Sequence, residues 1–326
     1  MMVHNFKFSK RFIIFYLIFL CSCFPKKPLA EMAAPIHIGF CQVNTEGDWR
    51  SANTESIKNA AQDAGYRLTF LVGKNKNKNQ ISEVRSLIAQ KVDILAIAPS
   101  QKTGWDQILS EAKEANIPVI IMDRIIDVAD NSLWVTHLGS NLREQGRIAG
   151  RWAIKEFLEH FGKVNIVELR GTQGSTPAID RNLGFREIIA QDPRFRIIFS
   201  EPADFTQTKG KEVMAKVLNN SNKSVQLVYA HNDDMALGAI EVIRQKGLEP
   251  GHDIKIISID AVKKALVAII KGDLNCSIEC SPLLGPLLMQ TVKKILNGET
   301  VPRHIYMQDK IFTRENAEEL LLTRTY

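Results

Sequence analysis

The chain has 326 residues, of which 45% are hydrophobic and 24% charged, so it can bury substantial cores and is not a disordered polypeptide. That length exceeds the usual single core and fits two lobes. Its formal charge of +6 suggests a nucleic-acid partner, but residues 1–30 hold Lys7, Lys10, Arg11, Lys26 and Lys27 and no acid, which leaves about +1 for the rest. A near-neutral body has no electrostatic footprint for a phosphate backbone, so nucleic-acid binding is excluded.

The basic excess belongs to a leader. Lys7, Lys10 and Arg11 precede nine uninterrupted apolar residues, Phe12–Leu20. A positive segment before an apolar run too short to span a bilayer is the pattern of an export signal over 1–30. Two ends of that signal are compatible with the sequence. Leu20-Cys21-Ser22-Cys23 resembles a lipobox, which would place a lipid on Cys23; cleavage nearer Ala30 or Ala34 would release a soluble protein. The body keeps Cys41, Cys276 and Cys280, an odd and sparse set with no zinc spacing. Cys276 and Cys280 lie four apart in one predicted strand, too far for a bridge.

From residue 36 short apolar runs alternate with helical patterns. Strands are predicted over 36–41, 67–72, 92–98 and 118–122, with helices over 49–64, 80–90 and 105–115 between them. The Lys-Asn run 74–79 reads as a solvated loop. The pattern then resumes with an extended segment over 133–138 and a helix over 143–161. Strands follow over 164–169, 196–200, 225–230, 254–259 and 276–280, with helices over 178–190, 210–218, 233–245, 262–271 and 282–296 before a short extended tail. Apolar strands separated by helices form parallel sheets covered on both faces. The fold class is therefore α/β, as two doubly wound parallel-sheet lobes.

In such sheets ligands bind beyond the carboxyl ends of the strands. Asp123-Arg124, Asn232-Asp233-Asp234 and Asp260 stand there, and Trp49-Arg50 lies in the first strand-to-helix loop. Asp or Asn at such a turn serves as a helix N-cap as readily as a ligand. Their recurrence at successive strand ends is what points to a site.

The order of several short motifs carries a resemblance. These are Gln42-Val43 with Trp49-Arg50, Ala98-Pro99 with Thr103-Gly104-Trp105, and Met122-Asp-Arg-Ile-Ile-Asp127. Later come Glu168-Leu-Arg-Gly-Thr172, Ala178-Ile-Asp-Arg181 with Gly184-Phe185, and Asp204-Phe205 with Lys209-Gly-Lys-Glu-Val213. Tyr229-Ala-His-Asn-Asp-Asp-Met235 and Ser258-Ile-Asp260 complete the set. Together they resemble the type I periplasmic binding proteins for pentoses and hexoses, above all the galactofuranose-binding receptors of ABC transporters.

The resemblance implies an exported, monomeric receptor that holds a monosaccharide between its lobes and delivers it to a membrane permease, with no cofactor and no chemistry of its own. It implies an N-terminal lobe of 35–139 plus 281–309 and a C-terminal lobe of 140–280 plus 310–326. The crossings of the hinge fall near 139–141, near 260–262 or 279–282, and near 308–310. Trp49, Arg50, Asp123 and Arg124 would hold the sugar from the first lobe. Arg181, Phe205, Asn232 and Asp260 would hold it from the second, with Glu279 near a crossing. Charged donors and acceptors suit hydroxyls, which both donate and accept, and rings cover the apolar sugar face. One departure is Ser140-Asn141-Leu142, where many relatives have Asp-Asn, so Asn141 carries no expected ligand role.

Other classes fit less well. There is no GxSxG elbow, HExxH, Walker A loop or GxGxxG after a strand, and no acidic loop of calcium-binding spacing. A sugar-responsive repressor would need a DNA-binding segment of about sixty residues where the leader stands. A receptor for a sugar or signal molecule that reports to a sensor kinase or chemoreceptor shares the same fold, and remains the alternative output.

Overall fold

The computed structural model describes residues 1–2, 34–43, 47–74, 76–220 and 224–326. The basic and apolar parts of the leader, Cys21, Cys23 and Ala30 lie outside the described residues. Residues 35–326 form one compact unit containing two six-stranded sheets.

The first sheet begins with β1 (His37–Gln42), β2 (Arg67–Val72), β3 (Ile94–Ile97), β4 (Val119–Met122) and β5 (Thr136–Gly139). Its helices are α1 (Asp48–Asp63), α2 (Asn77–Ala89) and α3 (Asp106–Glu114). The chain then passes to the second sheet through α4 (Leu142–Glu156), β6 (Val164–Arg170), α5 (Thr176–Ile189), β7 (Phe195–Pro202) and α6 (Gln207–Asn220). It continues with β8 (Leu227–Ala230), α7 (Asp233–Gln245), β9 (Lys255–Asp260), α8 (Lys263–Lys271) and β10 (Cys276–Glu279). It returns as α9 (Gly285–Leu296) and β11 (His304–Tyr306), and ends in the second sheet with β12 (Ile311–Phe312) and α10 (Ala317–Leu321).

The strand orders are β11-β5-β4-β3-β1-β2 and β12-β10-β9-β8-β6-β7. Every pairing is parallel except β10 with β12. Parallel strands need both faces covered, and the side chains alternate accordingly. In β3, Leu95 and Ile97 join the cluster that packs under α2 and α3. Ile94 and Ala96 point the other way, with Ile57 of α1 and Leu288 and Val292 of α9. In the second sheet, Val228 and Ala230 meet α6 to α8, while Leu227 and Tyr229 meet α4 and α5.

The chain therefore passes between sheets three times, at residues 139–142, 279–285 and 306–311. Residues 260–262 make no such passage: Asp260 ends β9, and α8 packs onto the same sheet. Three other expectations are corrected. The helix predicted over 143–161 stops at Glu156, and Phe161 is 98% exposed. The last three residues of the Lys-Asn run belong to α2. The tail holds two strands and a helix rather than a plain extended segment. Cys41, Cys276 and Cys280 are free, buried thiols.

Helices α4 and α5 meet backbone to backbone. A Cβ at Gly184 would lie 2.0 Å from the Arg143 carbonyl oxygen, and one at Gly146 would lie 2.3 Å from that of Arg181. Backbone cannot yield as a flexible side chain does, so Gly184→Ala is expected to cost about 1–3 kcal/mol. A lowered urea midpoint at unchanged m-value would register that loss.

Candidate ligand-binding site

Between the sheets lies a cavity of about 500 Å³, lined by both lobes. The first lobe contributes Trp49 and Arg50 from the opening turn of α1, and Asp123 and Arg124 from the end of β4. The second contributes Arg181 from α5, Phe205 after β7, Asn232 at the head of α7 and Asp260 at the end of β9. Eight of the nine expected residues thus line one space.

Several of these positions carry unusual backbone. Asp123, Asp204, Phe205, Asp260 and Ala261 all have positive φ, at 60°, 53°, 60°, 124° and 57°. Asp enters the left-handed region at modest cost, but Phe and Ala do not, and such strain costs about 1–3 kcal/mol per residue unless the surroundings enforce it. They do. Ala261 N donates to Ser277 Oγ (3.0 Å), and Val262 N donates to Asp233 Oδ2 (2.8 Å). Phe205 lies flat on the chain at Gly171, where any Cβ would meet its ring at 1.8 Å. The strand ends are bent so that carboxylates and a ring turn into the cleft.

The charges are paired but not fully used. Arg50 Nη2 donates to Asp123 Oδ2 at 2.6 Å, with both side chains under 10% exposed, and the guanidinium lies 4.6 Å from the Trp49 ring. Trp49 Nε1 donates to the Cys280 carbonyl, tying α1 to the second lobe. Arg124 crosses the cleft to sit 5.5 Å from the Phe205 ring; its hydrogen bond to Ser100 O is long, at 3.4 Å. Burial lowers the Arg124 pKa to about 10, which leaves it charged at neutral pH. Its donors therefore have capacity for a ligand.

Arg181 is 3% exposed. Its Nη1 donates to His231 O (2.5 Å), its Nε to Gln145 Oε1 (3.0 Å), and its Nη2 stands 3.7 Å from Asp260 Oδ1. Burial raises the Asp260 carboxyl well above the usual range, against the pull of Arg181. Asn232 both caps α7, accepting from Met235 N at 3.1 Å, and faces the cavity. Cap and ligand position are the same residue here.

Both rims are bridged. On one side Lys264 Nζ meets Asp48 Oδ2 at 2.8 Å; on the other, Lys102 N donates to Gly174 O and Ile125 N to Thr176 Oγ1, each at 3.1 Å. The lobes are closed on the cleft.

Glu279 is the exception, and its expected place in the cavity is corrected. Its carboxylate accepts from Arg324 Nη1 (2.9 Å) and Tyr326 OH (3.3 Å), away from the cavity, and Cys280 takes the lining position. Neighbouring residues of an extended chain face opposite ways, so an error of one residue reverses the assignment. Asp234, which the sequence places at a strand end but outside the expected ligand set, also lines the cavity, as does Lys264, which sequence reasoning missed. Asp234, raised to about 6 by burial and by Asp48, stands in the same turn as Asn232.

Comparison with known proteins matches the pattern of the periplasmic binding protein domain to residues 38–300. The chain belongs to this family. The galactofuranose-binding protein YtfQ of Escherichia coli is 42% identical to this periplasmic binding protein over 294 residues, 89% of this chain and 92% of YtfQ. A Mycobacterium smegmatis protein in complex with β-D-fucofuranose superposes with a TM-score of 0.87 at 44% identity, covering 89% of this chain and 95% of that one. The binding component of an arabinose ABC transporter of Shewanella, bound to α- and β-L-arabinofuranose, gives 0.85 at 41% identity and covers 89% and 95%. YtfQ and the Shewanella relative of this periplasmic binding protein are binding proteins by name.

Proposed function

We propose that this protein is the exported, monomeric receptor of an ABC importer, and that it captures a monosaccharide in its furanose form between the lobes. The observation that carries the reading is the cavity itself. Three buried guanidinium groups and two buried carboxyl groups, those of Asp123 and Asp260, surround a space flanked by Trp49 and Phe205. Hydroxyls match such alternating donors and acceptors, and the rings match the C–H face of a sugar. The furanose ligands of the Mycobacterium smegmatis and Shewanella relatives support the ring form, and the Shewanella relative's transporter supports import over signalling. A galactofuranose-like hexose or a pentose is the expected cargo. Asp123 and Arg50 would engage it from the first lobe and Arg181, Asn232 and Asp260 from the second, so the sugar favours the closed form. The permease would read that closed form in the periplasm.

Calorimetric titration with L-arabinose, D-galactose, D-ribose and D-fructose tests this, alongside melting. At a hundredfold excess over its Kd, a true ligand stabilises the fold by about 2.7 kcal/mol. Asp123→Asn keeps the shape but leaves Arg50 without its counter-charge, and is expected to weaken binding at least about a hundredfold. No response to any sugar would reject the cargo class; wild-type affinity in Asp123→Asn would reject the site.

A further inference from the structure

The chain's three passages between sheets are held to one another by side chains, and one buried amide joins them to the cavity. Gln145, in the first turns of α4, is 0% exposed and does not line the cavity. Its Oε1 accepts from Arg181 Nε at 3.0 Å. Its Nε2 donates to Asp309 Oδ2 at 2.8 Å and to the Glu279 carbonyl at 3.1 Å. Asp309 Oδ1 in turn accepts from Ser140 Oγ at 2.7 Å, and Glu279 N donates to Lys310 O at 2.7 Å. Ser140 lies in the first passage, Glu279 opens the second, and Asp309 and Lys310 lie in the third.

We propose that Gln145 is a positioning residue that couples occupancy of the cleft to the setting of the hinge, through Arg181 on one side and Asp309, Ser140 and Glu279 on the other. This rests on the reading of the cleft as a ligand site that closes. Hinges work by changing backbone angles at a few positions, and bonds between different passages resist such changes. Here those bonds converge on one side chain whose other end orients a cavity guanidinium. A ligand that fixes Arg181 fixes the Gln145 carboxamide, and the amide then holds the passages in their closed spacing. The effect is reciprocal: passages held in that spacing present Arg181 correctly to the ligand.

Only an amide serves both ends, since it offers an acceptor to Arg181 and donors to Asp309 and Glu279. A carboxylate at 145 would still accept from Arg181 but would set a like charge against Asp309. Of the charged groups acting on Asp309, Arg181 attracts it without a direct bond and Glu279 adds to the repulsion.

The test compares wild type, Gln145→Glu and the double variant Gln145→Glu with Asp309→Asn, the second change restoring a donor facing position 145 and an acceptor for Ser140. Binding of L-arabinose and D-galactose is measured by calorimetry and the unliganded radius of gyration by small-angle scattering. Gln145→Glu is expected to bind at least tenfold more weakly and to show a larger unliganded radius, and the double variant to recover to within about threefold of wild type. Affinity within twofold of wild type in Gln145→Glu, or no recovery in the double variant, would overturn the inference. If wild type binds neither sugar, the cleft reading fails. The hinge inference is then decided by the unliganded radius: an increase in Gln145→Glu upholds it and an unchanged radius ends it. Should Gln145→Glu not fold, Ser140→Ala removes only the outermost bond and is expected to weaken binding two- to fivefold; unchanged affinity would overturn the proposal.

Discussion

Arg181→Ala is expected to abolish sugar binding and to destabilise the unliganded protein by about 3–5 kcal/mol, the cost of removing one partner from a buried charged network. The guanidinium donates to the His231 carbonyl and to Gln145, and stands against Asp260. Its loss leaves those acceptors without donors and strips Asp260 of its neighbouring cation, with Asp233 and Asp234 still nearby. Urea unfolding reads the stability and calorimetry reads the binding. Arg181→Lys keeps the charge but cannot reach three partners with one planar fork, so it is expected to retain part of the stability and little of the binding. A fold of wild-type stability in Arg181→Ala would show that the network is dispensable.

The second large effect belongs to Glu168, a carboxylate with no solvent exposure on β6. It accepts from His231 Nε2 (3.1 Å), Ser200 Oγ (2.6 Å) and Asn182 Nδ2 (2.8 Å), with Arg186 at 3.2 Å. Burial lowers His231 below its ordinary range, so the ring is neutral; Nδ1 accepts from Gly171 N and Nε2 carries the proton that Glu168 receives. Burial alone would raise the Glu168 carboxyl, but these donors outweigh it and hold it at about 2, against an ordinary 4.5. A depressed carboxylate adds stability that is complete above its unfolded pKa and disappears as the pH falls through the folded one. Between those limits about 3 kcal/mol is expected to be lost.

Glu168→Gln is therefore expected to lower stability at pH 7 by a similar amount and to flatten the acid limb between pH 4.5 and 2. Buried Asp233, raised to about 7 by burial, acts with the opposite sign: its protonation favours the fold as the pH falls from 7 towards 4. Buried His137, lowered to about 4, opposes Asp233 as the pH falls from 6.5 to 4, so the loss that belongs to Glu168 is read below pH 4. An acid limb below pH 4 that is unaltered in Glu168→Gln would contradict this account.

Much of the architecture was legible because parallel strands buried on both faces leave an unambiguous trace. The runs at 67–72 and 233–245 coincide with β2 and α7 residue for residue. The strand-end rule reached Asp123, Arg124, Asn232 and Asp260 for the same reason, since apolar runs end where polar residues begin. Less was legible where the determinant is three-dimensional. Glu279 and Cys280 differ by one position, and only the register of β10 decides which enters the cleft. Gln145 and Asp309 are 164 residues apart, with no local pattern joining them. The tail looked featureless because β11 and β12 have three and two residues, too short for periodicity to show.

The late return of the chain to its first sheet has a consequence for biogenesis. During synthesis the N-terminal strands emerge with the free edge of β5 unpaired and the apolar side of α1 uncovered. Both wait for β11 and α9, which lie beyond residue 284. The first lobe cannot finish folding until almost the whole polypeptide has been made, and it closes through contacts of very large sequence separation, which form slowly. If the chain crosses the membrane unfolded, this delay keeps it competent for passage. Moving α9 and β11 ahead of the second lobe by circular permutation would remove it.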